Sequence, residues 1–238
     1  VHGCAVAIRL LHARPELRGG LRLVDPSGSC LADWTRRAWG QGMEAMRSPA
    51  AHHLDVAPES LLRYAQAYDR EAELAPPYHR PSLQLFMDHS RRVFAKYRLE
   101  ELVVPTTVVG VEQGSEGYRL ACADGTTLQA RWLVLAPGLR GQAHLPAWAA
   151  AVARRAPSAV AHVEQIDIRR EDVFGREVLV VGGGLSAATL TDAALRRGAR
   201  VALVSPHRLT VRLFDADPGW VGPKYLGLFQ REPDAEAR

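Results

Sequence analysis

The chain has 238 residues, with 30 Lys and Arg against 26 Asp and Glu for a formal charge of +4; that length can bury one large core or two modest ones. Its 47% hydrophobic and 24% charged residues are ordinary for a globular protein, and the basic residues are scattered rather than massed with aromatics, which argues against a nucleic-acid partner. No run nears the ~20 apolar residues of a membrane span, and three widely separated cysteines without a C-x-x-C pair argue against a disulfide framework or zinc ribbon and favour a reducing, cytoplasmic setting.

The opening, "VHGCAVAIRLLHA", has no initiator methionine and no basic leader, so Val1 reads as a cut end. Val6, Leu10 and Ala13, with Ile8 and Leu11 beside them, give residues 3–13 the apolar face of a short packed helix. "LRLVD" (21–25) predicts a short strand, and "PSGSC" a turn. Residues 29–57 show no clean period and predict a long binding loop carrying Trp34, Trp39, Met43 and Met46. Two helices follow, one starting near Pro58 and one over "SLQLFMDHSRRVFAKY" (82–97). The period then changes to strands in "TTVVGVEQ", "YRLACA" and "TLQARWLVLA" (127–136), with Asp124-Gly125 as the hairpin turn between the last two. Residues 140–176 read as a connection between two units.

From Glu177 the pattern sharpens into strand "EVLVV", glycines, helix "SAATLTDAALRRG" and strand "ARVALV", one β-α-β unit. The spacing G-x-G-x-x-A falls on Gly182, Gly184 and Ala187, with Gly183 between the first two. The first glycine allows a tight turn, the second lets backbone approach a pyrophosphate, and the small third residue lets helix and strand pack closely. Helix-start N–H groups then face the phosphates, and Ser186 adds a hydroxyl donor. After the second strand the chain reads "VSPHR" rather than offering an acidic residue. Ser205 and Arg208 suit a 2′-phosphate and so favour NADPH over NADH; the alternative for Arg208 is an ordinary surface arginine.

The opening fits a second such unit whose first strand is missing. Gly3 then takes the third glycine place and Asp25 the position of a ribose-binding carboxylate, although an Asp before Pro26 also serves as a plain turn initiator.

Other constellations carry less. His52, His53 and Asp55 lack metal-ligand spacing, His89 lies on an apolar helical stripe as a core histidine does, His162 reads as a linker residue, and Ser186 lacks the nucleophile-elbow pattern.

With Gly3 and "LRLVD", "TTVVGVE", "LVLAPGLRGQAHLPAW" and "GREVLVVGGGLSAATL" in this order, the chain resembles the two-dinucleotide flavoproteins, most closely the N-hydroxylating and flavin-containing monooxygenases. The resemblance implies an α/β protein: a Rossmann-like FAD-binding domain with a β-meander over 1–150, its first strand missing, then a Rossmann-like NAD(P)-binding unit over 151–238. It implies that Val108 lies against the adenine of FAD and that Arg47 belongs to a loop near the flavin. It also implies that Ala136-Pro137-Gly138 stands where relatives have alanine-threonine-glycine. Pro137 departs from that pattern, since it has no N–H to donate, whereas Gly138 still suits close backbone approach. The function implied is an FAD- and NADPH-dependent oxidoreductase, a monooxygenase passing hydride from NADPH to FAD and then activating oxygen on a small-molecule substrate. The alternatives are a flavin reductase without oxygen insertion and a degenerate, nonenzymatic nucleotide-binding module.

Overall fold

The structure is a computed structural model that describes residues 1–76, 78–138 and 143–211. Part of "LVLAPGLRGQ" and the closing "KYLGLFQREPDAEAR", together with the last residues of the second predicted domain, lie outside the described residues.

Helix α1 (His2–Ala13) buries Cys4, Ala7, Ile8 and Leu11 on one helical face, not the expected Val6, Leu10 and Ala13, of which Val6 and Ala13 are exposed. It leads into β1 (Leu23–Val24), which pairs in parallel with β4 (Val103–Val104), far along the chain. That pairing brings α1 beside α4 (Leu83–Lys96) in one core with Leu61, Leu83, Leu85, Phe86 and Leu99. Ser82 caps α4 by accepting from the Leu85 N–H at 2.9 Å, satisfying one of the donors that a helix start leaves open. The short α3 (Ser60–Ala67) and the antiparallel pair β2 (Leu74–Ala75) and β3 (Arg80–Pro81) complete this unit.

The stretch expected as a long loop contains a helix, α2 (Ala32–Gly40). Leu31, Trp34 and Ala38 do fall at helical spacing and pack on the first core, but three charged residues among nine obscure that stripe. Leu31 enters the helix at a φ of 63°, a conformation that a sequence pattern does not reveal for leucine.

A meander follows as expected. β5 (Val108–Gly114), β6 (Gly117–Cys122) and β7 (Thr127–Ala130) pair antiparallel. Between β6 and β7 the Asp124 carboxylate accepts from the Thr126 N–H at 2.9 Å and Gly125 adopts a φ of 84°. The last strand is shorter than the sequence suggests. After Ala130 the chain runs on without a strand partner among the described residues, and Trp132 and Leu135 stand 84% and 76% exposed. Apolar alternation marked a strand there; strand character also requires a neighbour to receive its hydrogen bonds.

The predicted connection includes α5 (Ala147–Arg155) and contributes Ile168 and Val173 to a second core. That core is built on β8 (Glu177–Val181), α6 (Leu185–Arg196) and β9 (Arg200–Val204), with the two strands parallel.

The two cores are joined at the end of α2. The Ile168 N–H donates to the Gly40 carbonyl at 2.8 Å. A Cβ on Gly40 would stand 2.5 Å from the Ile166 carbonyl oxygen, and one on Gly42 would overlap the Ala193 methyl of α6. Arg37 bridges to Glu164 at 3.1 Å, and Arg196 pairs with Glu44.

One polar cluster sits inside the first unit. Asp55 accepts from the Ser60 hydroxyl at 2.8 Å and from Lys96 at 3.1 Å, while the Ser60 hydroxyl lies 3.0 Å from His89 Nε2. Burial pushes the Asp55 carboxyl up, but the hydrogen bonds from Ser60 and Lys96 outweigh it and hold it below its ordinary value. His89, 1% exposed beside His53 and Tyr64, is pushed down to about 4, first by burial and then by His53. It is the core histidine the sequence suggested. His53, whose spacing to His52 and Asp55 did not suit a metal, packs edge-on against it.

Two outcomes follow from these packings. Gly42→Ala, at a φ of 76° and against the Ala193 methyl, is expected to cost about 2–4 kcal/mol through overpacking and left-handed strain, read as a lower urea midpoint. His89 is neutral when folded and has an ordinary value of 6.5 when unfolded. Its contribution is therefore fully present above pH 6.5 and is lost as pH falls towards 4, by about 3 kcal/mol at most. Urea titrations through this window should show that fall in the wild type and a shallower one in His89→Asn.

Candidate functional site

The β-α-β unit places its glycines at the mouth of α6. Gly182 leaves β8 with a φ of 143°, a conformation open to glycine and costly for other residues. Its N–H donates to the Val204 carbonyl at 2.8 Å, which holds the turn against the end of β9. A Cβ on Gly182 would lie 3.5 Å from the Ala187 methyl, so the small residue in the third place permits the helix to sit close to the strand. Gly183 has a different cause: a Cβ there would overlap the Ser205 hydroxyl.

Gly184 is the N-cap of α6, with no side-chain cap, and a Cβ placed on it meets nothing within 4 Å. The space in front of it is open. The first turn of α6 carries no acidic residue, so its free N–H groups and the positive end of the helix dipole meet no carboxylate there. Gly184 is exposed and Ser186 half-buried at this mouth. Such an open helix start can receive an anionic group such as a diphosphate.

After β9 the chain folds back on itself. Ser205 Oγ donates to the His207 carbonyl at 2.8 Å and accepts from the His207 N–H at 3.3 Å. This brings Ser205 beside Gly183, while Arg208 stands exposed on the following turn. Gly182, Gly183, Gly184, Ser186, Ala187 and Ser205 thus share one end of the parallel pair.

A second group gathers near α1. Gly3 lies in the first helical turn, and a Cβ on it would sit 3.4 Å from the Ala136 methyl. The structure therefore brings Gly3 to the segment holding Pro137 and Gly138, which are both exposed; Gly138 has a φ of 65° with open space around it. Asp25 follows β1, and its N–H donates to the Val104 carbonyl at 3.1 Å. Its Oδ1 accepts from the Ser27 N–H at 2.8 Å and from the Ser27 hydroxyl, so this carboxylate shapes a turn. Gly28, in that turn, packs towards Pro105, close in sequence to Val108 at the start of β5. Arg47 is half-buried in the bend after Met46, whose N–H donates to the Pro81 carbonyl at 2.8 Å.

The structure also shows a placement that the sequence did not suggest. Cys4 and Cys30, treated there as far apart, both belong to the first core, Cys4 as a buried member and Cys30 packed against it. The only available signal was position, with Cys4 in the first turn of α1 and Cys30 soon after β1. No spacing rule joins those two places.

A groove of about 610 Å³ lies elsewhere, along α3 and α4, walled by Tyr64 and Tyr68 with His89 and Ser60 among its lining residues. It shares no residue with either glycine turn.

Comparison with known proteins bears on this geometry. Residues 42–218 match the family described as pyridine nucleotide-disulphide oxidoreductase. A flavin-containing monooxygenase from Stenotrophomonas maltophilia matches in structure with a TM-score of 0.51 at 20% identity, over 83% of this chain and 52% of its own. A double mutant of a flavin monooxygenase from the same organism matches with a TM-score of 0.46 at 18% identity, over 83% and 51%. The first likeness is one of fold, and the chain spans about half the length of these proteins. No curated protein matches the chain. The family match covers the first core from residue 42 onward and the β-α-β unit with its open helix mouth; the chain belongs to the pyridine nucleotide-disulphide oxidoreductase family.

Proposed function

We propose that this chain forms part of an FAD- and NADPH-dependent oxidoreductase, a flavin monooxygenase. The observation that carries the reading is the uncapped mouth of α6, where Gly184 leaves open space in front of free amides, within a chain of this family.

The roles divide by chemistry. Backbone N–H groups at Gly184 to Ala187 hold the nicotinamide dinucleotide's diphosphate, and the Ser186 hydroxyl adds a donor. Arg208 and Ser205 face a 2′-phosphate, where the flat guanidinium gives paired hydrogen bonds that an uncharged ribose hydroxyl does not reward. At the other unit, Gly3 and Gly138 leave room for close backbone approach by FAD. The second oxygen of Asp25, beyond the one engaged by Ser27, receives a ribose hydroxyl. Val108 borders the adenine and Arg47 the flavin side. Bound FAD supplies the two-electron chemistry that links hydride acceptance to oxygen. The protein's own contribution is to position the two nucleotides and exclude water, so no side chain is assigned as acid or base.

Two measurements test this reading. The purified holoenzyme is expected to be yellow and to couple NADPH-dependent oxygen uptake to hydroxylation of an amine, sulfide or carbonyl compound. NADPH oxidation without oxygenated product would assign it to the reductases, and a colourless protein without either activity would end the flavoenzyme reading. Because Gly184 has room for a methyl, Gly184→Ala is expected to cost less than about 1 kcal/mol of stability while raising the KM for NADPH about tenfold or more through obstruction of the diphosphate. An unchanged KM would remove the α6 mouth as the binding site.

A further inference from the structure

We propose that the groove of about 610 Å³ along α3 and α4 is a binding site for a small aromatic carboxylate, whose ring lies on the tyrosine wall and whose acid group meets Arg92. The inference stands apart from the dinucleotide reading, because the groove shares no residue with either glycine turn.

Its walls come from two neighbouring helices. α3 offers Arg63, Tyr64 and Ala67, and α4 offers Arg92, Val93 and Lys96, each set spaced so that its side chains share one helical face. The volume lies within the range of small-molecule sites, about 300–1,000 Å³. The Tyr64 and Tyr68 rings stand 4.7 Å apart and tilted by 44°, and Tyr68 is 51% exposed, so its ring has surface to offer. A flat ring gains from offset or edge-on contact with such a pair beyond the area that it buries.

The charge on the groove is positive. Asp55 is the one carboxylate lining it, against Arg63, Arg92 and Lys96. Asp55 is already engaged by Ser60 at 2.8 Å and by Lys96 at 3.1 Å, which leaves the two guanidiniums. Arg63 donates to the Pro58 carbonyl and comes no nearer than 4.0 Å to Glu59. Arg92 is exposed and has no carboxylate partner among the described residues. It donates to the Tyr68 hydroxyl at 2.9 Å, and its guanidinium carbon lies 5.9 Å from the centre of that ring. That bond ties an uncompensated cation to the aromatic wall. A ligand whose ring rests on Tyr68 carries its acid group within reach of Arg92, and guanidinium and carboxylate match in paired hydrogen bonds. An inorganic anion would leave the tyrosines bare, and a neutral aromatic would leave Arg92 without a counter-charge.

The test is calorimetric titration of the purified holoenzyme with 2-naphthoate, beside 2-naphthalenemethanol as the uncharged aromatic and cyclohexanecarboxylate as the non-aromatic acid. 2-Naphthoate is expected to bind about tenfold more tightly than the alcohol and several-fold more tightly than the non-aromatic acid. Arg92→Gln should bring 2-naphthoate down to the affinity of the alcohol and leave the alcohol unchanged, whereas Tyr68→Leu should weaken both aromatic probes several-fold. Both side chains are exposed, and circular dichroism with a urea midpoint checks that each variant stays folded. Three results overturn the proposal: no binding of 2-naphthoate, equal affinity for 2-naphthoate and the alcohol, or 2-naphthoate binding that survives both substitutions and so belongs elsewhere on the protein.

Discussion

The bond from the Ile168 N–H to the Gly40 carbonyl, at 2.8 Å, joins a core built around α1 and α4 to one built around α6. It forms because backbone meets backbone there, with Gly40 against Ile166 and Gly42 against Ala193 leaving no room for a side chain. Hydrophobic burial acts within each core and has no directional preference. Direction comes from the contacts at this joint, including the Arg37–Glu164 and Arg196–Glu44 pairs. The consequence reaches the site, because Ala193 belongs to the same helix whose first turn carries the open amides. Whatever fixes the body of α6 also fixes the aim of its mouth.

The two glycine turns use one physical device at different stages of commitment. At Gly182–Ala187 the dihedral, the Ala187 contact and the uncapped helix start agree, and each has its own observable cause. Near Gly3 the approach to Ala136 is equally close, but the Asp25 carboxylate already serves its own turn through Ser27. A group can do both, since a carboxylate has two oxygens. The proline at 137 fits an exposed segment whose backbone has no strand partner among the described residues.

What the sequence made legible was local. The β8–α6–β9 unit, the Asp124-Gly125 turn and the Ser82-capped helix depend on neighbours within one or two turns of chain, and their patterns were read close to the observed bounds. The same holds for the turn at Gly182 and its packing against Ala187, because each demands a residue type at a fixed offset. What escaped was tertiary. Helix α2 shows its apolar stripe only once the core that receives Trp34 and Ala38 is known. Gly40 and Gly42 look like loop punctuation until Ile166 and Ala193 are placed opposite them. Cys4 and Cys30, far apart in sequence, come to the same core only in the folded chain. "RWLVLA" differs in the other direction: its residues suit a strand, but no neighbouring strand among the described residues receives its hydrogen bonds.

That unpartnered run has a material consequence. Trp132, Val134 and Leu135 present a broad greasy ribbon whose peptide groups have no partner strand among the described residues, and the run carries one charged residue in six. Such an edge invites another strand to dock, from any chain that offers one. Handled by itself at high concentration, this polypeptide is expected to associate with its own kind through that run, as an uncovered strand edge does.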